Sequence, residues 1–220
     1  MNLSAIKTPR PTLVPLGDSA LLVRFGTTLT DETNLAAVAF MQLLENDAIP
    51  GLLEAAANLV SVVLRYNPEV SSFNQLAGEV RLRLFGFQPE LGTSIEHTIE
   101  VDFSGPDLPQ IADLLKLTTA EFIALHNQSC LRVLSTGFAP GFVYCGLHPE
   151  QLVVPRRTSV RPSVPAGSIL FAAGQTAITA TEMPTGWHVI GHTNLRNFSP
   201  QAIPPTVLKA GDTIRFRSAS

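Results

Sequence analysis

Three arginines, Arg156, Arg157 and Arg161, stand close together among the prolines at Pro155, Pro162 and Pro165. A guanidinium presents a flat fork of donors that fits a carboxylate or phosphoryl group, and nearby prolines restrict the backbone that carries it. The same charges would also serve as salt bridges to a partner, and the residues by themselves leave both uses open. His126 closes a helical pattern and reads either as a helix cap or as a general base, because an imidazole ordinarily titrates near neutrality. Gln175 offers an amide that can orient a small polar ligand. Trp187 reads as a core anchor, with Phe138 and Phe142 packed beneath the Pro140-Gly141 turn.

Other constellations fall away on spacing. His188 and His192 have the separation of two metal ligands on one helix turn, but their segment reads as a strand. Four residues along a strand span about 13 Å, too far for one ion, so no metal site is expected. Cys145 lies near His148, yet no nucleophile-elbow pattern surrounds it, and an isolated cysteine behaves as a small buried hydrophobe. Neither Gly-x-x-x-x-Gly-Lys-Ser/Thr nor a strand-bounded Gly-x-Gly-x-x-Gly occurs, so an ordinary phosphate cradle is absent from this chain.

The elements that must position these residues divide into two sets. Thr12 to Leu16 and Ala20 to Phe25 read as strands about Gly17-Asp18-Ser19, followed by a helix capped by Thr30 or Asp31 and ending near Glu45. A second strand pair, Leu52 to Ala56 and Leu59 to Tyr66, precedes an amphipathic helix built on Val70, Phe73, Leu76, Ala77, Val80 and Leu84. The resulting ββαββα order predicts a small α+β sandwich over residues 1–88, and Gly86 to Gly92 breaks the period as a domain boundary. Over residues 89–220, short strands outnumber helices and predict a β-barrel. Asp107 is the expected cap of one short helix, and Thr118-x-x-Glu121 has capping-box spacing at the start of the next. Pro165 suits the second position of a type I turn closed by Gly167.

Composition bounds the class of function. The chain has 220 residues, of which 45% are hydrophobic and only 15% charged, against roughly 25% charged in a typical soluble domain. That shortage of charge favours a covered interface with a partner. A formal charge of −3 gives no net attraction to nucleic acid or acidic lipid. Met1 to Pro9 lacks the apolar core of a signal peptide, no run approaches the roughly 20 residues of a membrane span, and two cysteines make no disulfide framework. A cytoplasmic location is expected.

At these motifs the sequence resembles the family of 5-oxoprolinase B-type subunits, also called allophanate hydrolase subunit 1, which includes a sporulation-kinase inhibitor. The resemblance rests on Gly137-Phe138-Ala139-Pro140-Gly141-Phe142-Val143-Tyr144, Pro155-Arg156-Arg157, Val164-Pro165-Ala166-Gly167-Ser168, Gly174-Gln175-Thr176 and Gly186-Trp187-His188-Val189-Ile190-Gly191-His192-Thr193. It implies an N-terminal α+β domain, a cyclophilin-like barrel, a homologous barrel subunit as partner, and ATP bound by that partner or at a shared interface. The implied reaction is ATP-dependent opening of 5-oxo-L-proline to L-glutamate, a lactam being a small-molecule amide. Regulation by docking, or a urea- or allophanate-type substrate, are the alternatives. His126 and Arg157 are the expected catalytic residues. Pro140, Gly141, Phe142, Arg156 and Arg161 are expected to bind substrate together with Gln175, Trp187 and His192, all converging on one concave surface. Three stretches depart from the family: Thr176-Ala177-Ile178-Thr179-Ala180 stands where Thr-Gly-Ile-Tyr-Pro is common, Pro184-Thr185-Gly186-Trp187 where Pro-Gly-Gly-Trp is usual, and the glycine-rich run before Gly105-Pro106-Asp107 is shortened.

Overall fold

A computed structural model describes residues 11–219, so the start at Met1 to Pro9 lies outside the described residues. The chain divides into two compact units, Met1–Thr93 and Ser94–Ser220.

In the first unit, β1 (Thr12–Leu16), β2 (Ala20–Arg24), β3 (Leu52–Ala57) and β4 (Ser61–Tyr66) form an antiparallel sheet in the order β1-β2-β4-β3. Alternation decides its faces: Leu21, Val23, Val62 and Leu64 are buried, and the residues between them are not. Helices α1 (Asp31–Asn46) and α2 (Phe73–Leu84) cover the buried face. The cap of α1 is Thr30, whose hydroxyl accepts the Thr33 N–H. The helical spacing extended α2 back to Val70, but Ser72 and Gln75 form a capping box that starts it at Phe73 and leaves Val70 exposed. Phe87 stays with this unit, its ring 5.6 Å from Phe40.

The second unit contains β5 (Glu96–Val101), α3 (Leu108–Leu115), α4 (Thr119–His126), β6 (Leu131–Thr136), β7 (Val143–Gly146), β8 (Arg161–Val164), β9 (Ser168–Ala172), β10 (Gln175–Ile178), β11 (Met183–Thr185), β12 (His188–His192) and β13 (Thr213–Ser218). Seven of these strands form one sheet in the order β12-β9-β10-β7-β6-β13-β5, and β8 pairs with β11 separately. The outermost strands meet: Asp102 and His192 exchange backbone hydrogen bonds, both 2.9 Å, just beyond β5 and at the end of β12. That pair curls the sheet toward closure. Gly191 and Gly105 line this seam because a Cβ on Gly191 would lie 2.5 Å from the Asp102 carbonyl oxygen, and one on Gly105 2.2 Å from the Ile190 carbonyl carbon.

Both faces of β9 are buried. Ile169 and Phe171 point into the main core with Val133, Val143, Ile178, Ile214 and the apolar sides of α3 and α4. Leu170 and Ala172 face the other way, into a smaller cluster with Phe142, Val164, Ala177, Met183, Trp187 and Val189. The turn before β9 differs from the type I expectation. The Ser168 N–H reaches the Pro165 carbonyl at 3.3 Å, and Gly167 has φ +83, which a type II turn requires at its third position. The capping box at Thr118 and Glu121 forms as its spacing predicts. Asp107 stands at the N-cap of α3 but makes no side-chain cap hydrogen bond, because its carboxylate is committed elsewhere.

Candidate functional site

The motif residues divide among four neighbouring places in the second unit. The outer face of the sheet carries a run of rings. Phe142 lies 4.8 Å from Tyr144, Tyr144 lies 6.0 Å from Trp187, and the Arg156 guanidinium sits 5.7 Å from the centre of the Trp187 ring. Trp187 is buried, so it acts as the floor on which Arg156 rests, as a cation over an aromatic face. Arg156 is exposed and forms no ion pair among the described residues. Its donors are open to an oxyanion. Burial pushes the Tyr144 phenol up, with Arg156 opposing. Register places Gln175 on the same face: Ala177 pairs with Tyr144, and Gln175 is two residues along β10. Gln175 lies opposite Gly146, where a Cβ would come 3.4 Å from its Cγ, and its Oε1 is buried without a hydrogen-bond partner.

Phe138 departs from the expected packing. Its φ is +81, which turns the side chain out of the cluster and leaves it 79% exposed, although it still touches Phe142 edge-on at 5.7 Å. The following turn is fixed from below. Gly141 has φ +70, a Cβ there would stand 2.5 Å from the Phe198 Cβ and 2.8 Å from the Ala180 Cβ, and the Asn197 amide donates to its carbonyl at 2.8 Å. Pro140 precedes this glycine and restricts the same turn.

The other two arginines turn away from Arg156. Arg157 Nη1 donates to Asp107 Oδ1 at 2.6 Å, and Arg161 Nη2 reaches both Asp107 oxygens at 2.9 and 3.0 Å. Asp107 is nearly buried, and its Oδ2 also accepts the Val189 N–H at 2.8 Å. An internal carboxylate thus occupies the forks of Arg157 and Arg161, although the Nε of each remains without a partner. The Arg157 N–H to the Gly186 carbonyl, 2.9 Å, and His188 Nε2–H to the Pro155 carbonyl, 3.0 Å, tie the same segment to β12.

His126 lies inside the barrel, 1% exposed, in contact with the rings of Phe103, Phe122 and Phe216. Its Nδ1 is 2.7 Å from the Asn127 side-chain oxygen, and its Nε2 is 2.8 Å from Thr176 Oγ1. His148 Nε2 stands 2.8 Å from that same oxygen. An amide oxygen only accepts, so His126 carries its proton on Nδ1 and takes the Thr176 hydroxyl on Nε2, leaving Thr176 to accept from His148 Nε2–H. Burial pulls His126 down to about 4, and burial with the nearby His126 pulls His148 to about 3. Neither ring caps a helix carbonyl. Burial pushes the Cys145 thiol up, which removes its nucleophilic form.

His192 belongs to a fourth place, a cleft of about 280 Å3 around Gly167, Thr193 and Arg196, with Ala180 and Phe198 in its wall. The cleft adjoins the outer face, because those two side chains are the ones packed against Gly141. No group of three or more His, Cys, Asp or Glu suited to a metal ion occurs among the described residues, and no helix there is long and apolar enough to cross a membrane.

Sequence reasoning missed Tyr144, Thr176 and Arg196, and it read Asp107 as a cap. Tyr144 carried a signal, since it ends the Gly137–Tyr144 motif on the same strand face as Phe142. Arg196 carried none, lying beyond the last motif.

Comparison with known proteins agrees with this architecture. The sequence matches the family described as carboxyltransferase domain, subdomain C and D, over residues 11–208. It is 33% identical to the B-type subunit of 5-oxoprolinase from Bacillus subtilis (strain 168), covering 95% of this chain and 93% of that protein. Identity to the corresponding 5-oxoprolinase subunit of Escherichia coli O157:H7 is 36%, over 77% of this chain and 76% of the relative. The crystal structure of TTHA0988 superposes with a TM-score of 0.81 at 31% identity, covering 91% of this chain but only 40% of TTHA0988.

Proposed function

Because this chain belongs to the carboxyltransferase family of subdomains C and D, alongside proteins named as the B-type subunit of 5-oxoprolinase, we propose that it is one subunit of an ATP-dependent amide hydrolase that opens 5-oxo-L-proline to L-glutamate. The observation that carries this reading is Arg156, exposed, unpaired among the described residues and seated on Trp187 within a face built from the family's motifs.

The chemistry needs such a group. A lactam is a poor electrophile until its oxygen takes the γ-phosphoryl of ATP, with ADP leaving. Water then adds to the activated carbon and the ring C–N bond breaks, the freed nitrogen taking a proton and the carbon being left as an acyl phosphate. A second water cleaves that acyl phosphate to the carboxylate and free phosphate. Negative charge gathers on the lactam oxygen and the transferring phosphoryl group, and a preplaced guanidinium lowers the energy of that arrangement. We assign this role to Arg156, with the Gln175 amide orienting the substrate. Arg157 and Arg161 act through Asp107, fixing the segment from which Arg156 projects. His126 is a packing and hydrogen-bonding residue of the barrel, since burial keeps it from substrate. ATP is a substrate here, and its phosphates are assigned to the partner or a shared interface because this chain has no P-loop. The low surface charge, the outward Phe138 and the relatives' designation as one component of a larger enzyme support docking of a homologous barrel subunit. Its place of action is the cytoplasm, where ATP is supplied.

The test is turnover of 5-oxo-L-proline with ATP by this chain co-purified with its partner subunits. Arg156→Ala should lower kcat by about a hundredfold and Arg156→Lys by less, since lysine keeps charge without the fork. Unchanged kcat in Arg156→Ala, with Arg157→Ala inactive yet equally stable, would return the anion role to Arg157. Absence of turnover in the complete wild-type complex would sink the reading.

A further inference from the structure

The cleft around Arg196 has the polar pattern of a second binding site, separate from Arg156. Its walls are held by short bonds. The Gly167 N–H donates to the Thr179 carbonyl and the Thr193 N–H to the Gly167 carbonyl, both at 2.8 Å, while Thr179 Oγ1 donates to the Pro165 carbonyl at 2.8 Å. Gly167 is required twice over: its φ is +83, and a Cβ would stand 2.3 Å from the Thr193 carbonyl oxygen and 2.9 Å from His192 Nε2. His192 donates from Nε2 to the Ala166 carbonyl at 3.1 Å, so the neutral ring carries its lone pair on Nδ1, which has no protein partner among the described residues. Arg196 is exposed and makes no hydrogen bond or ion pair among the described residues, and no Asp or Glu lines this cleft. Ala180, Leu195 and Phe198 supply an apolar wall.

We propose that this cleft binds a compact carboxylic acid that also carries an N–H, with Arg196 taking the carboxylate and His192 Nδ1 accepting the N–H. One guanidinium matches one carboxylate charge, an imidazole lone pair matches one donor, and the apolar wall matches a short hydrocarbon body. The volume of about 280 Å3 has room for about nine non-hydrogen atoms at the density of liquid water. Cyclic amide acids such as 5-oxo-L-proline fall within this class, and to that extent the inference rests on the reading above. It goes further in naming a second site for such acids, apart from the Arg156 face, with Arg196 as its carboxylate ligand and His192 as its N–H acceptor.

The test is a titration of the isotope-labelled full chain, following backbone amide shifts at neutral pH. 5-Oxo-L-proline should shift Gly167, Thr193, Asn194 and Arg196 saturably. 2-Pyrrolidinone, which keeps the N–H and lacks the carboxylate, should bind at least about tenfold more weakly, as should 5-oxo-L-proline to Arg196→Gln. Cyclopentanecarboxylate, which keeps the carboxylate and lacks the N–H, should fall between. The inference is overturned if Arg196→Gln binds within twofold of wild type, if the shifts gather around Arg156 instead, or if inorganic phosphate binds the cleft more tightly than 5-oxo-L-proline. Absence of any saturable shift at about 10 mM overturns it as well, being weaker than millimolar affinity. Turnover is not read in this titration, so a failed hydrolase reading and a failed cleft are told apart.

Discussion

Replacing Asp107 by Asn tests whether the two arginines serve structure. The carboxylate is nearly buried and receives Arg157 at 2.6 Å, Arg161 at 2.9 and 3.0 Å, and the Val189 N–H at 2.8 Å. Asparagine keeps the volume and one acceptor but leaves two guanidinium groups without their counter-charge. Breaking a fully buried pair costs about 3–5 kcal/mol. The side chains of Arg157 and Arg161 are 21% and 31% exposed, so water recovers part of that cost and the expected loss is about 2–3 kcal/mol. Alanine also leaves the Val189 N–H without an acceptor and should lose about 1–2 kcal/mol more. At about 4 °C per kcal/mol, Asp107→Asn lowers the midpoint of the second unit by about 10 °C. Trp187, the single tryptophan, lies in that unit and reports its unfolding by fluorescence in the full chain. Adding Arg157→Met to Asp107→Asn should restore part of the loss, because it removes one orphaned charge. An Asn variant within about 0.5 kcal/mol of wild type, or a double variant less stable than the single, would refute the reasoning.

Two further outcomes follow from named geometry. His126 and His148 are neutral in the folded barrel, with pKa values of about 4 and about 3, whereas in the unfolded chain each binds a proton as pH falls through about 6.5. Stability from these rings is therefore complete above about pH 6.5 and is lost toward pH 4, at up to about 1.4 kcal/mol per pH unit for each ring; an unfolding midpoint flat between pH 7 and pH 4.5 would contradict it. Gly141→Ala places a Cβ 2.5 Å from the Phe198 Cβ at φ +70, which should cost about 3 kcal/mol in urea unfolding, whereas a loss below about 1 kcal/mol would mean that the turn yields.

Elements that depend on near neighbours were legible in the sequence. Alternation gave Leu21 and Val23 their inward face, and Thr118-x-x-Glu121 produced its capping box, because both patterns act within a few residues. Pairings across the chain were not legible. Asp107 looks like a helix cap because the arginines that claim its carboxylate lie 50 and 54 residues away. His126 looks available for proton transfer because Thr176, which holds it in the core, is also 50 residues away. Gly105 reads as a turn residue and Gly191 as part of a strand, yet what both permit is close approach of backbone at the seam. Spacing in sequence cannot reveal such contacts, since sheet order decides them.

The departures from the family motifs show what the site retains. At the position where the family commonly has tyrosine, Thr179 donates to the Pro165 carbonyl at 2.8 Å and accepts the Ser168 N–H at 2.9 Å, stitching the Gly167 turn to β9. Where glycine is usual before Gly186-Trp187, the hydroxyl of Thr185 accepts the Trp187 N–H at 3.0 Å and helps seat the ring that supports Arg156. Ala177, again replacing glycine, fills the apolar cluster beneath that ring. Three of the four altered residues are therefore absorbed into the framework. Ala180 is different. It stands where proline is common and lines the cleft of Arg196, and losing the proline ring takes apolar atoms out of that wall and frees the backbone φ. Any change in ligand preference relative to the family should therefore arise at the cleft, while the Arg156 face keeps its form.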